Sequence, residues 1–456
     1  MVKSKKEKIQ FVCQACGFVS HRWLGRCSEC GSWNSMVEER VLPTSTNQAV
    51  LNKPDVAPIP LSNIQFSKEE RIRCHSKEFD RVLGGGIVPG SLVLIGGSPG
   101  IGKSTLMLQE AAQLSKKGAN VLYVSGEESV MQTKMRANRL GLNSEKLFIL
   151  PENNLDNVFN EIDQVKPKLV IIDSIQTIYR SVLQSAPGSI SQVRECAQQF
   201  LQLSKSRNIP VFLIGHVTKE GYIAGPKVLE HTVDTLLLFD GDSHNFFRIL
   251  RAAKNRFGST NEIGVFEMTD KGLEEVSNPS EIFLAQRNSE ASGSVVVSVM
   301  EGTRPLLLEV QALVTASNYG LPQRSATGID AKRLSMLLAV LEKRVGMRLG
   351  TSDVFVNAVG GVRIDETSAD LGIAMAIASS FRNQTITPNA ALIGEIGLTG
   401  EIRPVTQIER RITEAKKLGL KGIVIPTANY QSLKKKAGIK IQPVDKLSEA
   451  VEIFIN

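Results

Sequence analysis

The chain has 456 residues, of which 42% are hydrophobic and 22% are charged, and this composition is ordinary for a folded globular protein. Its length exceeds what a single hydrophobic core normally serves, so we expect two or three domains. The formal net charge of +8 fits a polyanionic partner but does not separate nucleic acid from anionic lipid. The charged N-terminus lacks an apolar signal segment, and no apolar run has membrane-spanning length. These features exclude an integral membrane protein and predict a cytoplasmic location.

Four of the six cysteines form two pairs near the N-terminus. Cys13 and Cys16 form one C-x2-C pair. Cys27 and Cys30 form the other, ten residues further on. In a reducing compartment such pairs bind metal more readily than they form disulfides, and four thiolates satisfy tetrahedral Zn²⁺ without an open coordination position. We therefore predict a structural zinc ribbon over residues 1–38, with the ion supplying the free energy of folding.

The remaining cysteines and the aromatic residues of the ribbon receive simpler interpretations. We expect Trp23 and Trp33 to pack over the metal cluster and not to stack on bases. His21 is expected to be an exposed side chain that is not needed as a ligand. Cys74 and Cys196 stand apart from the cluster, and we expect them to be buried small side chains.

A phosphate-loop motif follows an apolar run at residues 91–95. The sequence GSPGIGKST fits the pattern G-x-x-x-x-G-K-[ST], in which backbone N–H groups surround phosphate oxygens. The lysine reaches the β and γ phosphates of the nucleotide, and the hydroxyl after it holds Mg²⁺. A tight strand-to-helix turn without a ligand is the alternative. The predicted nucleotide-binding residues are Gly97, Ser98, Pro99, Gly100, Ile101, Gly102, Lys103, Ser104 and Thr105.

Changes in pattern divide the rest of the chain. Residues 39–62 are rich in proline, serine and threonine and predict a linker. Residues 63–280 alternate strand-like apolar runs with amphipathic segments, as a parallel sheet flanked by helices requires. Residues 281–456 contain two strand-like runs followed by two apolar helical segments. We therefore expect a central α/β domain and a separate α+β domain at the C-terminus.

Polar residues follow several predicted strands of the central domain, where ligand groups collect in a parallel sheet. Asp173 ends one strand and is predicted to hold the Mg²⁺ water shell opposite Ser104. Glu127 and Glu128 follow another strand, and either can orient an attacking water. His216 is placed to sense the γ-phosphate, although a structural histidine is an equal alternative. The predicted strands cover residues 92–95, 121–124, 169–172, 211–214 and 235–239.

Two further basic segments carry alternative interpretations. Lys254 and Arg256 are two residues apart, and in an extended segment they project from the same face. Two cations on one face suit insertion into a phosphate site of a neighbouring subunit, and the alternative is a solvated basic loop. Lys219 and Lys227 lie in a glycine-containing segment that suits contact with a DNA backbone, or they are simply solvated.

Two motifs carry a resemblance to known families. FDRVLGGGIVPG at residues 79–90 resembles the segment before the phosphate loop of RecA-superfamily ATPases, and KNRFG at residues 254–258 resembles the signature of the RadA (Sms) family of bacterial DNA repair proteins. The cysteine ribbon and the C-terminal region match that family too. The resemblance implies an ATP- and Mg²⁺-dependent, helicase-like motor in the response to DNA damage. It also implies a hexameric ring that acts with the RecA recombinase and drives branch migration on single-stranded and branched DNA.

The resemblance also implies the roles of individual residues. Lys103 matches the phosphate-loop lysine, and Asp173 matches the Walker B carboxylate. Glu127 matches the catalytic glutamate of DnaB-type helicases. Lys254 and Arg256 match the K-x-R finger that those helicases supply in trans. A finger supplied in trans implies a closed ring with heterologous interfaces.

The C-terminal domain resembles the proteolytic domain of the Lon protease, on GEIGLTGEIRPV at residues 394–405 and GIVIP at residues 422–426. That resemblance implies a ribosomal S5-like α+β fold. Lon-type proteolysis needs a serine nucleophile and a lysine base. Ser368 falls near the family's serine, but Glu409 is interpreted as occupying the lysine position, so we expect a scaffold for the ring and for DNA. Six basic residues are predicted either to line a DNA path or to form a solvated helix surface. They are Arg324, Lys332, Arg333, Lys343, Arg344 and Arg348.

The predicted architecture is therefore a RecA-like P-loop core with a small zinc ribbon before it and a Lon-protease-like domain after it. Two alternative functions stay open beside the DNA motor. One is an ATP-dependent serine protease of Lon type. The other is a nucleotide-switched DNA-binding module that loads other proteins without translocating.

Overall fold

The computed structural model describes residues 8–13, 17–41, 60, 71–216, 226–240, 247–288, 290–317, 320–386, 390–433 and 438–455. The chain divides into two compact units, Met1–Glu275 and Val276–Asn456. Cys16, Lys219 and most of the predicted linker lie outside the described residues. The domain boundaries after residues 38, 62 and 280 stay predictions. Within the described ranges, none of the helices is long and apolar enough to cross a membrane.

The first described segment is a small antiparallel sheet. Strand β1 (Lys8–Cys13) lies between β2 (Val19–Ser20) and β3 (Met36–Val41), and Cys13 pairs with Met36. One side of this sheet carries a cluster of apolar side chains, formed by Phe11, Cys13, Phe18, Leu24, Cys27 and Met36. A cluster of this size supplies little folding free energy by itself, so a bound metal ion is the expected source of stability.

The rest of the N-terminal unit is a nine-stranded sheet in the order β12-β11-β10-β9-β4-β8-β7-β5-β6. Its strands are β4 (Leu92–Gly97), β5 (Val121–Ser125), β6 (Leu147–Leu150), β7 (Leu169–Asp173), β8 (Val211–His216), β9 (Thr235–Asp240), β10 (Phe247–Asn255), β11 (Ile263–Thr269) and β12 (Gly272–Glu275). The helices are α1 (Lys77–Val82), α2 (Lys103–Lys116), α3 (Val130–Arg139), α4 (Leu155–Val165), α5 (Ile190–Arg207) and α6 (Pro226–Thr232).

The strand directions explain where the site lies. Strands β9, β4, β8, β7, β5 and β6 are mutually parallel, whereas β10, β11 and β12 extend the sheet antiparallel. Strands β4, β5, β7 and β8 are almost wholly apolar because helices cover both faces of the sheet, and two hydrophobic clusters lie on its two sides. The predicted parallel sheet and its five strands are confirmed. The antiparallel extension and the edge strand β6 were not predicted.

The C-terminal unit contains a mixed seven-stranded sheet in the order β15-β16-β14-β13-β17-β20-β21. Its strands, with the separate pair β18 and β19, are β13 (Ser294–Glu301), β14 (Arg304–Ala316), β15 (Arg324–Thr327), β16 (Ser352–Ala358), β17 (Ala390–Leu392), β18 (Glu395–Ile396), β19 (Ile402–Arg403), β20 (Gly422–Pro426) and β21 (Lys440–Val444). The helices are α7 (Pro279–Leu284), α8 (Ala331–Val340), α9 (Asp370–Arg382), α10 (Ile408–Lys417), α11 (Thr427–Ser432) and α12 (Leu447–Phe454).

Helix α9 is the central helix of this unit. It packs on β13 and β14 and is buried on every side from Asp370 to Ser379, which explains why its sequence is apolar without a polar face. Helix α10 covers β14 and β20 and has an amphipathic pattern instead. The predicted α+β character of this region is confirmed.

Candidate functional site

The phosphate-loop residues form a tight turn between β4 and α2. Gly100 and Gly102 have φ angles of 77° and 114°, in the left-handed region that glycine adopts without strain. A Cβ atom on Gly102 would also lie 2.8 Å from Cε of Met268. This loop conformation therefore requires glycine at residue 102, and α2 begins immediately after it at Lys103.

The Lys103 side chain lies within this loop. It is 4% exposed, and its Nζ donates hydrogen bonds to the carbonyl oxygens of Gly97 at 2.7 Å and Ser98 at 3.0 Å. Burial lowers the pKa of Lys103 to about 8, and the nearby Asp173 and Glu127 carboxylates oppose that shift. The ammonium group thus lies close to both carboxylates that the sequence motifs indicated.

The carboxyl ends of four parallel strands meet beside the loop. Gly97 at the end of β4 pairs with His216 at the end of β8, and Asp173 at the end of β7 pairs with Ser125 at the end of β5. Asp173 Oδ2 accepts a hydrogen bond of 2.5 Å from the Tyr123 hydroxyl. Burial, followed by the Asp173 charge, raises the pKa of Tyr123 well above its usual value, so the phenol is a proton donor at neutral pH.

The structure distinguishes the two glutamates that follow β5. Glu127 Oε1 accepts a hydrogen bond of 2.6 Å from the Ser174 hydroxyl and lies 3.3 Å from His216 Nε2. Glu128 instead forms an ion pair with Arg136 of α3. Glu127 is therefore the carboxylate directed toward the ends of β7 and β8.

The loop that carries Glu127 is tightly packed. A Cβ atom on Gly126 would lie 1.9 Å from Thr177 Oγ1, so only glycine fits there without movement of its neighbours. The buried atoms Glu128 Oε2 and His216 Nδ1 have no hydrogen-bond partner among the described residues. This edge of the sheet thus presents polar groups that the described chain leaves unsatisfied, which is compatible with a polar ligand.

The residues of the KNRFG motif lie elsewhere. Lys254 pairs with Leu236 after a bulge at the preceding residue, and its Nζ donates a 2.5 Å hydrogen bond to the Glu230 carbonyl. Arg256 lies 3.5 Å from the buried Asp234 carboxylate, which also accepts a 3.0 Å hydrogen bond from the backbone of Leu92.

Leu92 is the first residue of β4, and the phosphate loop begins at its last residue, Gly97. Five residue steps along a strand span about 16 Å. Arg256 therefore lies near the amino end of β4 and the phosphate loop lies at its carboxyl end. One chain does not bring the two together.

In the C-terminal unit, the side chain beside Ser368 is Arg411. Arg411 is fully buried; its guanidinium donates hydrogen bonds to Ser368 Oγ at 3.1 Å and to the Ser298 carbonyl at 2.6 Å, and it pairs with Glu366. Glu409 is exposed on α10. The interpretation that Glu409 stands at the position of the protease lysine is therefore wrong, because two residues along a helix point to nearly opposite sides.

Three of the four predicted metal-binding cysteines come together. The Sγ atoms of Cys13, Cys27 and Cys30 lie within 4.8 Å of one another, and those of Cys13 and Cys30 are 3.7 Å apart. Cys16 lies outside the described residues. Thiolates at this separation fit a tetrahedral metal ion such as Zn²⁺.

The predicted packing of the tryptophans over this cluster is wrong. Trp23 is 57% exposed and Trp33 is 71% exposed. Their place in the interior is taken by smaller apolar residues. His21 is exposed and Cys196 is buried, as expected, whereas Cys74 is only partly buried.

Sequence reasoning missed several residues that the fold brings to these sites. Tyr123 and Arg411 act across chain separations that no local motif reveals. Ser174 directly follows Asp173, and that adjacency was an available signal. Arg71 is also new: its guanidinium donates hydrogen bonds of 2.7 Å to the carbonyl oxygens of Gly84 and Phe257.

The predicted DNA-contacting residues stay predictions. Lys219 lies outside the described residues, and Lys227 lies on α6 with no described side chain. Arg333 forms an ion pair with Asp370, which is buried, so its charge is partly neutralised within the unit.

Family models match three parts of the chain. An AAA domain matches residues 60–222, a rubredoxin metal binding domain matches residues 11–38, and the Lon protease (S16) C-terminal proteolytic domain matches residues 347–456. These matches agree with the ATPase, ribbon and Lon-like architecture predicted from the sequence.

Full-length relatives are also similar. The DNA repair protein RadA of Halalkalibacterium halodurans is 53% identical over 453 residues, which are 99% of each chain, and that of Bacillus subtilis is 52% identical over 450 residues, which are 98% of each chain. The KaiC-like protein PH0186 from Pyrococcus horikoshii OT3 aligns with 45% of this chain and 98% of that chain at 20% identity, with a TM-score of 0.39.

These matches confirm the resemblance found in the motifs and show a DNA repair ATPase with an N-terminal metal-binding ribbon. The chain belongs to the family of the bacterial DNA repair protein RadA.

Proposed function

We propose that this chain is a helicase-like, ATP-driven motor that acts on single-stranded and branched DNA and promotes branch migration together with the RecA recombinase. The observation that carries the proposal is the separation of the basic motif from the phosphate loop. The loop and the strand-end carboxylates lie at the carboxyl ends of the parallel strands, and Arg256 lies near their amino ends.

The nucleotide site would be built from the phosphate loop and the adjacent strand ends. Backbone N–H groups of the phosphate loop, to which Pro99 contributes none, and the Lys103 ammonium would hold the phosphates. The Ser104 hydroxyl and the Asp173 carboxylate offer the oxygen ligands that Mg²⁺ prefers. A bound Mg²⁺ would neutralise charge on the β and γ phosphate oxygens.

Glu127 is proposed to orient the attacking water. Its carboxylate is held by Ser174 and His216, so it is fixed without being neutralised by an arginine, in contrast to Glu128. His216 contacts Glu127 and ends the strand next to β4, which suits a residue that senses the γ-phosphate.

We infer that Lys254 and Arg256 complete the site of a neighbouring subunit. An interface of this kind joins two different surfaces of the same chain and generates a ring when the rotation closes. A hexameric ring would place ATP at every interface and link hydrolysis to movement of a neighbour on DNA. Lys219 and Lys227 are proposed to contact the DNA backbone.

The C-terminal domain is proposed to be a scaffold without proteolytic activity. A serine nucleophile needs a base that accepts its proton, and the side chain beside Ser368 is a guanidinium, which stays protonated. Ser368 Oγ also donates a 3.0 Å hydrogen bond to the Ser298 carbonyl. Purified protein with ATP should therefore leave casein intact.

A mixing experiment tests the shared site. Lys103→Ala protein retains the basic motif, and Lys254→Ala protein retains the phosphate loop, so neither should hydrolyse ATP alone. In an equal mixture, up to about a quarter of the interfaces combine the two intact halves if subunits assemble at random. DNA-stimulated ATP hydrolysis and branch migration, with and without RecA, are measured, and Lys146→Ala serves as a surface-charge control.

Recovery of hydrolysis in the mixture would support the shared site. Co-assembled subunits that stay inactive would contradict it. ATP turnover by wild-type protein without strand movement on branched DNA would instead favour the alternative of a nucleotide-switched loader.

A further inference from the structure

The two tryptophans of this chain are both in the metal-binding ribbon, at Trp23 and Trp33. Tryptophan is strongly buried on average in folded proteins, yet these two side chains expose 57% and 71% of their surface. The interior of the ribbon is filled without them, by the cluster around Cys13, Cys27 and Met36. Their exposure therefore calls for a role outside the folding of the ribbon.

A cation is fixed beside one of these rings. Arg26 and Trp33 are partners in an antiparallel bridge, and the guanidinium carbon lies 5.7 Å from the centre of the indole. Arg26 Nε donates a 3.0 Å hydrogen bond to the Gly31 carbonyl, which holds the side chain in this position. The Trp33 ring therefore has a positive charge near it and most of its surface open to solvent.

The second ring also has an arginine close to it in the chain. Arg22 directly precedes Trp23, and both side chains are exposed. Trp33 thus has a guanidinium beside it in space, and Trp23 has an arginine next to it in the chain. We call the four exposed side chains of Arg22, Trp23, Arg26 and Trp33 together the indole platform.

We propose that the indole platform binds unpaired nucleotides of single-stranded DNA. Bases stack on aromatic side chains through faces that are accessible only when the strand is unpaired. Guanidinium groups form charge-assisted hydrogen bonds with phosphate oxygens. Each nucleotide of a single strand offers a base face for an indole ring and a phosphate for an arginine. An apolar protein surface would offer partners for the rings but not for the arginines.

This proposal adds a DNA contact in the ribbon to the motor proposed above, and it does not depend on where ATP is hydrolysed. Duplex DNA should bind the platform poorly, because its base faces are stacked on one another. The ribbon would thereby favour branched substrates that contain an unpaired arm.

The position of the tryptophans allows a direct test in the full-length, zinc-loaded protein. Because the chain has no other tryptophan, indole emission excited at wavelengths where tyrosine does not absorb reports only on the ribbon. Oligothymidylate should quench this emission, and a hairpin duplex of the same length should leave it nearly unchanged. Trp23→Phe and Trp33→Phe proteins each leave a single indole and assign the quenching.

Binding of labelled oligothymidylate is then measured by anisotropy for ring-deleting variants. Trp33→Ala should weaken binding by about 5- to 150-fold, the range found for loss of a base stack, whereas Trp33→Phe should retain most of the affinity. Arg26→Gln should lower the slope of log affinity against log salt concentration by about 1. Val37→Ala, at an exposed apolar residue without a ring, is the matched control, and bound zinc is measured in every variant.

Two results would overturn the proposal. One is unchanged indole emission when anisotropy shows that oligothymidylate is fully bound. The other is equal affinity of the wild-type, Trp33→Ala and Trp33→Phe proteins, each with its zinc. In the first case, a response of the emission to a recombinase protein would identify the platform as a protein-docking surface instead. None of these results alters the mixing experiment, so failure here and failure of the motor are distinguishable.

Discussion

At the scale of single residues, Tyr123 shows how the fold adds to a motif. Its hydroxyl, on β5, donates a 2.5 Å hydrogen bond to Asp173, at the end of the neighbouring strand β7. The donor is almost fully buried, so water does not readily replace it. Tyr123 therefore fixes the orientation of the carboxylate proposed to hold the Mg²⁺ water shell.

We predict that Tyr123→Phe lowers kcat for ATP hydrolysis by about 10- to 150-fold, because a hydrogen bond to a charged group contributes about 1.5–3 kcal/mol. KM for ATP should change little, because the phosphate loop is intact. Steady-state kinetics over a range of Mg²⁺ concentrations measures both constants. Tyr430→Phe, in the C-terminal unit, is the control, and an unchanged kcat in Tyr123→Phe would remove the positioning role.

A second residue, Glu110 of α2, links stability to pH. Its carboxylate accepts hydrogen bonds from the backbone of His75 at 2.7 Å and Ser76 at 3.1 Å, just before α1. Burial raises its pKa from 4.5 to about 7. Between those values the folded protein holds a proton that the unfolded chain has lost, so the stabilising contribution is present at low pH and is lost as pH rises through 7.

We therefore predict that the stability of wild-type protein relative to Glu110→Gln falls as pH rises from 4.5 to 7. The shift corresponds to at most about 3 kcal/mol. Thermal midpoints of the two proteins are compared across this range, because the other titrating groups cancel in the difference. A difference that is independent of pH would contradict the prediction.

The residue-scale features differ in how readily the sequence reveals them. The phosphate-loop motif and the cysteine pairs could be predicted directly from the sequence. Their chemistry requires fixed spacings between residues that are close in the chain. Contacts such as Tyr123 with Asp173 join residues 50 positions apart and depend on strand order. The exposure of Trp33 was mispredicted because hydrophobicity alone does not show whether smaller residues already fill the interior.

At the scale of elements, the segment after β10 is held by Arg71. The guanidinium bridges the carbonyl of Gly84, after α1, and that of Phe257, in the KNRFG motif. The backbones of Gly84 and Gly258 also approach so closely that a Cβ atom on Gly258 would lie 2.9 Å from the Gly84 Cα. The glycine-rich segment before the phosphate loop thus serves to seat the basic motif.

We predict that Arg71→Ala lowers DNA-stimulated ATP hydrolysis by about ten-fold or more, because two charged hydrogen bonds that fix the motif are lost. Affinity for a nucleotide analogue should be unchanged, since the phosphate loop is at the opposite, carboxyl ends of the parallel strands. Arg73→Ala, which removes a largely exposed arginine paired with Asp80, is the matched control. Loss of nucleotide binding in Arg71→Ala would mean that the variant disturbs the fold and not the motif alone.

The strands were predicted to different extents for a physical reason. Strands β4, β5, β7 and β8 are buried on both faces and read as continuous apolar runs. Strand β10 alternates buried and partly exposed residues and contains arginines and a bulge, and β6 is a partly exposed edge strand, so neither has that signature. Helix α10 was expected to present Glu409 to Ser368, but its rotation, set by packing of Ile408, Arg411 and Ile412, presents Arg411.

At the scale of the whole molecule, the order of modules could be predicted from motifs, because each module has its own local signature. The proposed sharing of each ATP site between two chains rests in the sequence on the spacing of Lys254 and Arg256 and on the family resemblance. The fold supports this proposal, because Asp234 contacts the first residue of β4 and the phosphate loop begins at its last residue. The ribbon shows the same contrast. Its metal ligands could be predicted from local sequence spacing, whereas the exposure of its indoles could be seen only in the folded structure.

The ribbon and the ATPase core also differ in what stabilises them. The core has two large apolar clusters, whereas the buried cluster of the ribbon consists of Met36 and two of the metal-binding cysteines, Cys13 and Cys27. A structural zinc ion contributes about 10–16 kcal/mol to the folding of such a ribbon. Removal of metal should therefore unfold β1–β3 and leave the nucleotide site intact.

We predict that a zinc-selective chelator, added with Mg²⁺ in excess, abolishes protection of the β1–β3 amides in hydrogen exchange, while affinity for a nucleotide analogue and protection of β4 and β7 are retained. Cys27→Ser should reproduce this result without a chelator, because it removes one of the three clustered thiolates. Cys74→Ala, which changes a cysteine outside the cluster, should retain the metal and the ribbon. Loss of nucleotide binding together with the ribbon would show that the core depends on the metal for its fold, contrary to the difference in their buried clusters.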